Sequence, residues 1–437
     1  MDIKIVIGDY EYSEATIENF SIDKSAKNIS HTFNATIGIP PFKSYEDYKT
    51  KISLKNQQDI KFYLNNELFM FGVVETIIIN MESPKIEISG RSKMVCVVNS
   101  QAIVKEYTQR NLVKLITQVF QDNIVKDVSV VNAIGENLKS VPAGRILMKE
   151  SDTIFNFIDR YAILCRCVAI SDNEGNLLLT REGSEKNAVQ GFSLEMMLSG
   201  QGVSNAQGIS YVNDFTNRTR FIELTSAGKT SRFLDNTASA GEKTKTTRII
   251  EDEQVRFYTR ERSQYNIGGD GEVLNVNNEW LLRRKRAESE SLTVKLTGSN
   301  AEDFLNKKPE LLQLIKVTNQ YAMIENVFMV IAEISTTFSG EGFEVKLLLV
   351  PQGSYNFATD AKTFLKSLKS QKKEISQVDA PKLILKVEPK IKALYYDILD
   401  PLLKTQQTGN FSAGNFEAIE RVAFKRNIAN KKYAPSK

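Results

Sequence analysis

Histidine is almost missing from this chain: His31 is the only one in 437 residues. A single imidazole cannot build a multi-histidine metal site, and its scarcity removes the usual general base near neutral pH. Three cysteines, Cys96, Cys165 and Cys167, are too few for a disulfide framework and imply a reducing compartment. No apolar run approaches the roughly 20 residues of a membrane-spanning helix. The opening Met1-Asp2-Ile3-Lys4-Ile5-Val6-Ile7 alternates like a strand and lacks the apolar block of a signal peptide. Synthesis in a cytoplasm without cleaved export is therefore expected. A strong charge of one sign is also missing, since 57 basic and 53 acidic residues leave a formal +4. Nothing in the whole-chain charge speaks for nucleic acid. The composition, 41% hydrophobic and 25% charged, excludes wholesale disorder. At roughly 100–200 residues per domain, the length predicts about two to four domains.

The charge that is present is unevenly spread. Residues 351–437 hold 16 basic and 8 acidic side chains, leaving 41 basic and 45 acidic before them. The basic surplus lies entirely in the C-terminal fifth.

Periodicity divides the chain into four parts. Over 1–98, Ile3/Ile5/Ile7, Phe33/Ala35/Ile37/Ile39, Ile60/Phe62/Leu64 and Ile86/Ile88 alternate as half-buried antiparallel strands do. Asn65-Asn66 supplies a tight hairpin, because asparagine tolerates positive φ. This part reads as a small β-barrel or sandwich. Over 99–188 the period changes. Leu112, Leu115, Ile116, Val119 and Phe120 share one helix face, and a second helix with Ile154, Phe157, Ile158, Tyr161 and Leu164 follows Ser151 as N-cap. A hairpin around Asp172-Asn173-Glu174-Gly175-Asn176 completes an α+β domain. Over 189–350 strands return at Ile209/Tyr211, Phe221–Leu224, Leu292/Val294/Leu296, Val327–Ile334 and Val345/Leu347/Leu349. One helix near Asn278–Ser289 and a long polar loop, 226–248, interrupt them. The fold class is thus β-rich α+β, multidomain, with two antiparallel β units bracketing an α+β domain and hinting at a duplicated barrel.

The fourth part, 351–437, is a helical extension. Phe357, Ala361, Phe364, Leu368, Gln371, Ile375 and Val378 repeat at alternating steps of four and three, while Lys362, Lys366, Lys369, Lys372 and Lys373 take other positions. A helix of three heptads is marginal alone in water, so its seam must be buried. Phe357, Ala361, Phe364, Leu368, Ile375 and Val378 are the candidate interface. A short helix around Tyr395–Leu403 precedes a Gly/Asn/Gln-rich break at 405–415.

Chemical motifs are weak. Ala227-Gly228-Lys229-Thr230 follows a strand, but a phosphate loop needs glycine at position 223, which is Glu223, and a helix after the threonine. Asp172–Asn176 lacks the alternating ligands and closing glutamate of a calcium loop and reads as a turn. Glu251, Asp252 and Glu253, like Asp397 and Asp400, read as solvated charge rather than a glycosidase pair. His31 reads as a half-buried strand residue, and Cys165-x-Cys167 as core packing without a second pair for zinc. Arg283-Arg284-Lys285-Arg286 is the densest basic run and the candidate basic surface. Its alternatives are a polyanion contact or a charged helix face opposite Trp280, Leu281 and Ala287. The residues themselves offer no catalytic site, no cofactor site and no metal site.

Several segments, in order, carry a family likeness. They are Ile88-Ser89-Gly90-Arg91-Ser92-Lys93 running into Val97-Val98-Asn99-Ser100-Gln101-Ala102, Lys149-Glu150-Ser151-Asp152-Thr153-Ile154-Phe155, and Asp172 to Thr180. Asp252 to Arg260, Trp280 to Ala287, and Gly342 to Pro351 follow. Together they resemble the Mu-like baseplate hub proteins of contractile-tailed bacteriophages, over about 1–355. The family's usual acidic residue is Asn99 here, and its aromatic-Pro-Asn segment is replaced by Lys307 to Thr318. The resemblance implies a non-enzymatic homotrimer with two related β-barrel domains per subunit. It implies a pseudo-sixfold ring that adapts a sixfold tail tube to a threefold spike, in the virion's tail baseplate after assembly in the bacterial cytoplasm. The implied partners are a further copy of itself, a separate tail spike protein, the tail tube protein and other baseplate proteins. DNA enters only as passing cargo, and no cofactor is implied. Type VI secretion spike proteins are a related class that fuses spike to hub. A distal tail protein of a non-contractile phage is the alternative; a tail-associated cell-wall hydrolase would need a catalytic domain that 355–437, lacking His and Cys, does not offer.

Overall fold

The computed structural model describes residues 1–356 except 9, 40–56, 81, 83, 143–145, 151, 227–246, 253, 256–259 and 266–270. Two compact units divide the chain, Met1–Ala358 and Thr359–Lys437, and the second lies outside the described residues. So do the candidate interface residues Phe357, Ala361, Phe364, Leu368, Ile375 and Val378, and most of the expected 226–248 loop.

Alternating sequence produces alternating burial. Ile3–Ile7 buries Ile3, Ile5 and Ile7, and Asp59–Leu64 buries Ile60, Phe62 and Leu64. Such strands gather into one thirteen-stranded sheet, almost wholly antiparallel, with Gln207–Asn213 at one end of its main path and Tyr10–Ser13 at the other. The expected hairpin at Asn65-Asn66 is present, with φ of 51° and 62°. Gly90 is required by close approach, since a Cβ there would meet the Val73 carbonyl at 2.1 Å and the Phe33 ring at 2.7 Å.

The β-rich class expected is present. The β parts at 1–98 and 189–350 share one sheet, and no barrel closes among the described residues. The 16-residue strand Ile324–Ser339 is longer than its sequence reading, Val327–Ile334, because Thr336 and Phe338 continue the alternation. Its C-terminal half pairs with Ile17–Ser25, from Glu333 opposite Ser25 to Phe338 opposite Phe20. Both halves of the sheet then share a single core running from Ile3 to Leu349. At the seam Phe20 meets Phe62, Phe338 and Phe343 at ring-centroid distances of 5.8, 5.7 and 6.3 Å.

A second core belongs to the residues between. Helices Leu112–Asp122 and Ile154–Leu164 bury the faces their spacing foretold. Asn111 caps the first by accepting from the Lys114 amide at 3.1 Å. The second is capped by Thr153, two residues beyond the expected Ser151: Thr153 Oγ1 accepts from the Asn156 amide at 3.1 Å. Strands Val168–Ser171 and Leu177–Thr180 form the expected hairpin, and Val130–Asn132 adds a parallel neighbour. A third cluster joins this region to the sheet and to a long helix, Gly271–Ser289, through Ile163, Ile170, Trp280, Val330 and Tyr355.

Candidate functional site

The expected basic run lies on the last two turns of helix Gly271–Ser289, where 3.6 residues per turn point its members in different directions. Beneath this helix lies a separate three-stranded sheet, with Phe221–Ser226 between Thr247–Glu251 and Arg260–Tyr265. Ile222, Leu224 and Leu282 are buried. Charge supplies the rest. Arg286 donates to Asp252 Oδ1 at 2.8 Å, and Arg218 donates to Asp252 Oδ2 through Nε at 3.0 Å and Nη2 at 2.6 Å. Arg218 Nη2 also reaches Gln254 Oε1 at 2.7 Å, and Lys285 Nζ reaches Glu261 Oε2 at 2.5 Å.

Asp252 is only 1% exposed, so its reading as solvated charge is overturned. Burial works against its charge, but hydrogen bonds and charge from Arg286 and Arg218 prevail and hold the carboxyl below its usual range. The four basic residues therefore do not make one basic surface. Arg283 is buried, Lys285 and Arg286 are committed to carboxylates, and Arg284 is exposed with Glu288 one turn on at 3.2 Å.

Arg283 faces the chain's exit from the sheet. Its Nη1 donates to the Gly353 carbonyl at 2.9 Å. The buried carboxylate of Glu182 accepts from the Gly353 amide at 2.6 Å and the Tyr355 amide at 2.9 Å. Burial raises the Glu182 carboxyl above its ordinary pKa, against the pull of those two amides and Arg283. Tyr355 packs beside Trp280, centroids 6.3 Å apart. Sequence reasoning missed Glu182, because nothing in its neighbours marks a carboxylate that serves residues 171 and 173 positions away.

Two further buried ionisable groups seat the Asp172–Asn176 turn on the sheet. Lys24 Nζ donates to the Phe69 carbonyl and to Asn173 Oδ1, each at 2.7 Å, and lies 3.7 Å from the Phe69 ring centre. Burial pulls its pKa down to about 7, opposed by the charge of Glu310. His31 is 3% exposed rather than half-buried, with Nε2 3.3 Å from the Ser171 carbonyl. Burial, with Lys24 nearby, lowers it to about 3, so the imidazole is neutral. The turn is closed by Asp172 Oδ1, which accepts from the Glu174 and Asn176 amides at 2.9 and 2.7 Å. Cys165 and Cys167 are buried thiols, and burial pushes Cys165 up to about 12. Among the described residues, no group of three His, Cys, Asp or Glu is placed to hold a metal ion. An open groove of about 760 Å³ runs past Asp2, Glu14, Glu18 and Phe338. Strand Gln207–Asn213 is exposed along its whole length and, among the described residues, pairs on one edge only.

No family model matches the chain, and no curated protein matches its sequence. Its fold is similar to that of the prophage MuSo2 43 kDa tail protein from Shewanella oneidensis, at 19% identity and a TM-score of 0.62. That similarity covers 81% of this chain and 99% of the other. A tail protein from Neisseria meningitidis is similar at 12% identity and a TM-score of 0.62, over 81% of this chain and 97% of that one.

Proposed function

We propose that this chain is a non-enzymatic structural component of a phage or phage-like contractile tail, its baseplate hub. The observation that carries this reading is the fold shared with two tail proteins over nearly their whole length. The chain acts as a homotrimeric ring between the sixfold tail tube above and the threefold spike below, contacting other baseplate proteins at its rim. DNA passes through as cargo and is not read. In this reading residues 1–98 and 189–350 are its two related barrel domains, with 99–188 as the α+β domain between them. The extension 351–437 is the part given to a partner. Phe357, Ala361, Phe364, Leu368, Ile375 and Val378 are its candidate interface, and its surplus of lysine suits an acidic neighbour. Burying Phe364 and Leu368 contributes on the order of 1.5–3 kcal/mol each. Gold labelling of tagged chain in purified tails tests the assignment. Label confined to the baseplate end is expected; label along the tube or at the head–tail junction contradicts it. Purified protein is expected to clear no band in a peptidoglycan zymogram, and clearance lost with a point substitution in this chain would contradict the non-enzymatic reading.

A further inference from the structure

We propose that Glu182 and Arg283 form a clasp on the chain's exit at Gly353–Tyr355, and that the C-terminal extension engages its partner only when rooted there. The proposal rests on the hub reading, which gives the extension a partner.

Sheet pairing ends at Pro351, so the residues that follow owe nothing to the ladder. Such a segment is ordinarily loose unless something ties it down. Here a carboxylate that is 9% exposed spends both oxygens on it, one on the Gly353 amide and one on the Tyr355 amide. Among the described residues those are the only hydrogen bonds Glu182 makes. Burying a carboxylate is costly, and nothing in the sheet requires this one. Arg283 closes the clasp from the helix side by donating to the carbonyl between those amides. Gly353 has a φ of 91°, which a side chain would strain, and this conformation turns its amide and carbonyl to opposite partners. Ser354 turns back so that its amide reaches the Pro351 carbonyl at 3.2 Å. Tyr355, 7% exposed, enters the third core beside Trp280. Three sequence-distant elements therefore meet at three residues: the segment after Leu177–Thr180, the helix Gly271–Ser289, and the exit itself. The exit is therefore tied to the helix and to the α+β region as well as to the last strand.

The test uses the full chain and three variants: Glu182→Ala, Glu182→Gln, and a chain ending at Asn356. Two readouts are followed, amide hydrogen exchange at Gly353 and Tyr355, and incorporation into tails in cells lacking the native copy. Glu182→Ala is expected to speed exchange at both amides by about tenfold or more, with Leu347 and Leu349 unchanged. Its incorporation is expected to fall towards that of the shortened chain, with Glu182→Gln between. Should Glu182→Ala fail to fold, Arg283→Gln serves with the same readouts. Unchanged exchange, or faster exchange with full incorporation, overturns the clasp alone. Full incorporation of the chain ending at Asn356 overturns the partner role of the extension, on which the clasp depends.

Discussion

The thirteen-stranded sheet and the small three-stranded sheet beneath helix Gly271–Ser289 are held by opposite means. At the seam of the large sheet, aromatic rings from strands far apart in sequence, Phe20 and Phe338 among them, pack together, and the energy comes from removing apolar surface from water. At the small sheet, Asp252 lies between Arg218 and Arg286 while Lys285 takes Glu261. There each ion is costly to bury, and only its partners make it tolerable. The first kind of joint loses stability in proportion to the apolar surface and volume removed. The second fails when a single member is removed, because an uncompensated charge is left behind.

Four substitutions sharpen that contrast, in descending effect. Phe20→Ala should cost about 3–5 kcal/mol and lower the denaturation midpoint of both halves of the sheet together. Separate transitions for the two halves would show that the seam is not shared. Asp252→Ala should cost about 3 kcal/mol or more, confined to the helix and the three-stranded sheet in hydrogen exchange. Because the folded pKa of Asp252 lies below its unfolded value, its contribution is present above the ordinary carboxylate range. It is lost as pH falls through the folded pKa. An acid titration of the wild type should therefore loosen this region, and the variant should lack that step.

Lys24→Met reverses the sign. Lys24 is pulled down from 10.5 to about 7 on folding, so below about 7 it is charged in both states and its burial opposes folding in full. Wild-type stability should rise from pH 7 towards 10.5 as folding sheds that proton. The variant should gain on the order of 1 kcal/mol at neutral pH, a gain that shrinks on going alkaline. Thermal melts across that range check it, and a variant uniformly less stable would mean the hydrogen bonds to Phe69 and Asn173 outweigh the burial cost. Arg284→Ala is the smallest change, about 0.3–0.5 kcal/mol, because the pair with Glu288 is exposed.

The two joints also differed in how readable they were. Ile3, Ile5 and Ile7 announce a half-buried strand because apolar alternation is local, and Leu112 to Phe120 announce a helix face for the same reason. What local pattern cannot carry is pairing partner. Nothing near Phe338 says that Phe20 stands opposite it, so the sequence does not foretell that the two β parts share one sheet. Charge reads worst. Asp252 looks like any surface acid beside Glu251, and only the fold brings Arg218 and Arg286 to it. The run Arg283–Arg286 looked like one surface because adjacency in sequence ignores the helical twist. Glu182 gives no local signal at all, and Ser151 suits a cap by residue type alone, whereas Thr153 takes that place.

The hub reading stands or falls on subunit number. A ring that joins a sixfold tube to a threefold spike requires three copies of this chain, and closed cyclic symmetry would cover edges such as Gln207–Asn213. Light scattering on purified full-length protein at micromolar concentration measures this directly. The account predicts a mass of three chains, each 49.3 kDa. A monomer that persists as concentration is raised would contradict it.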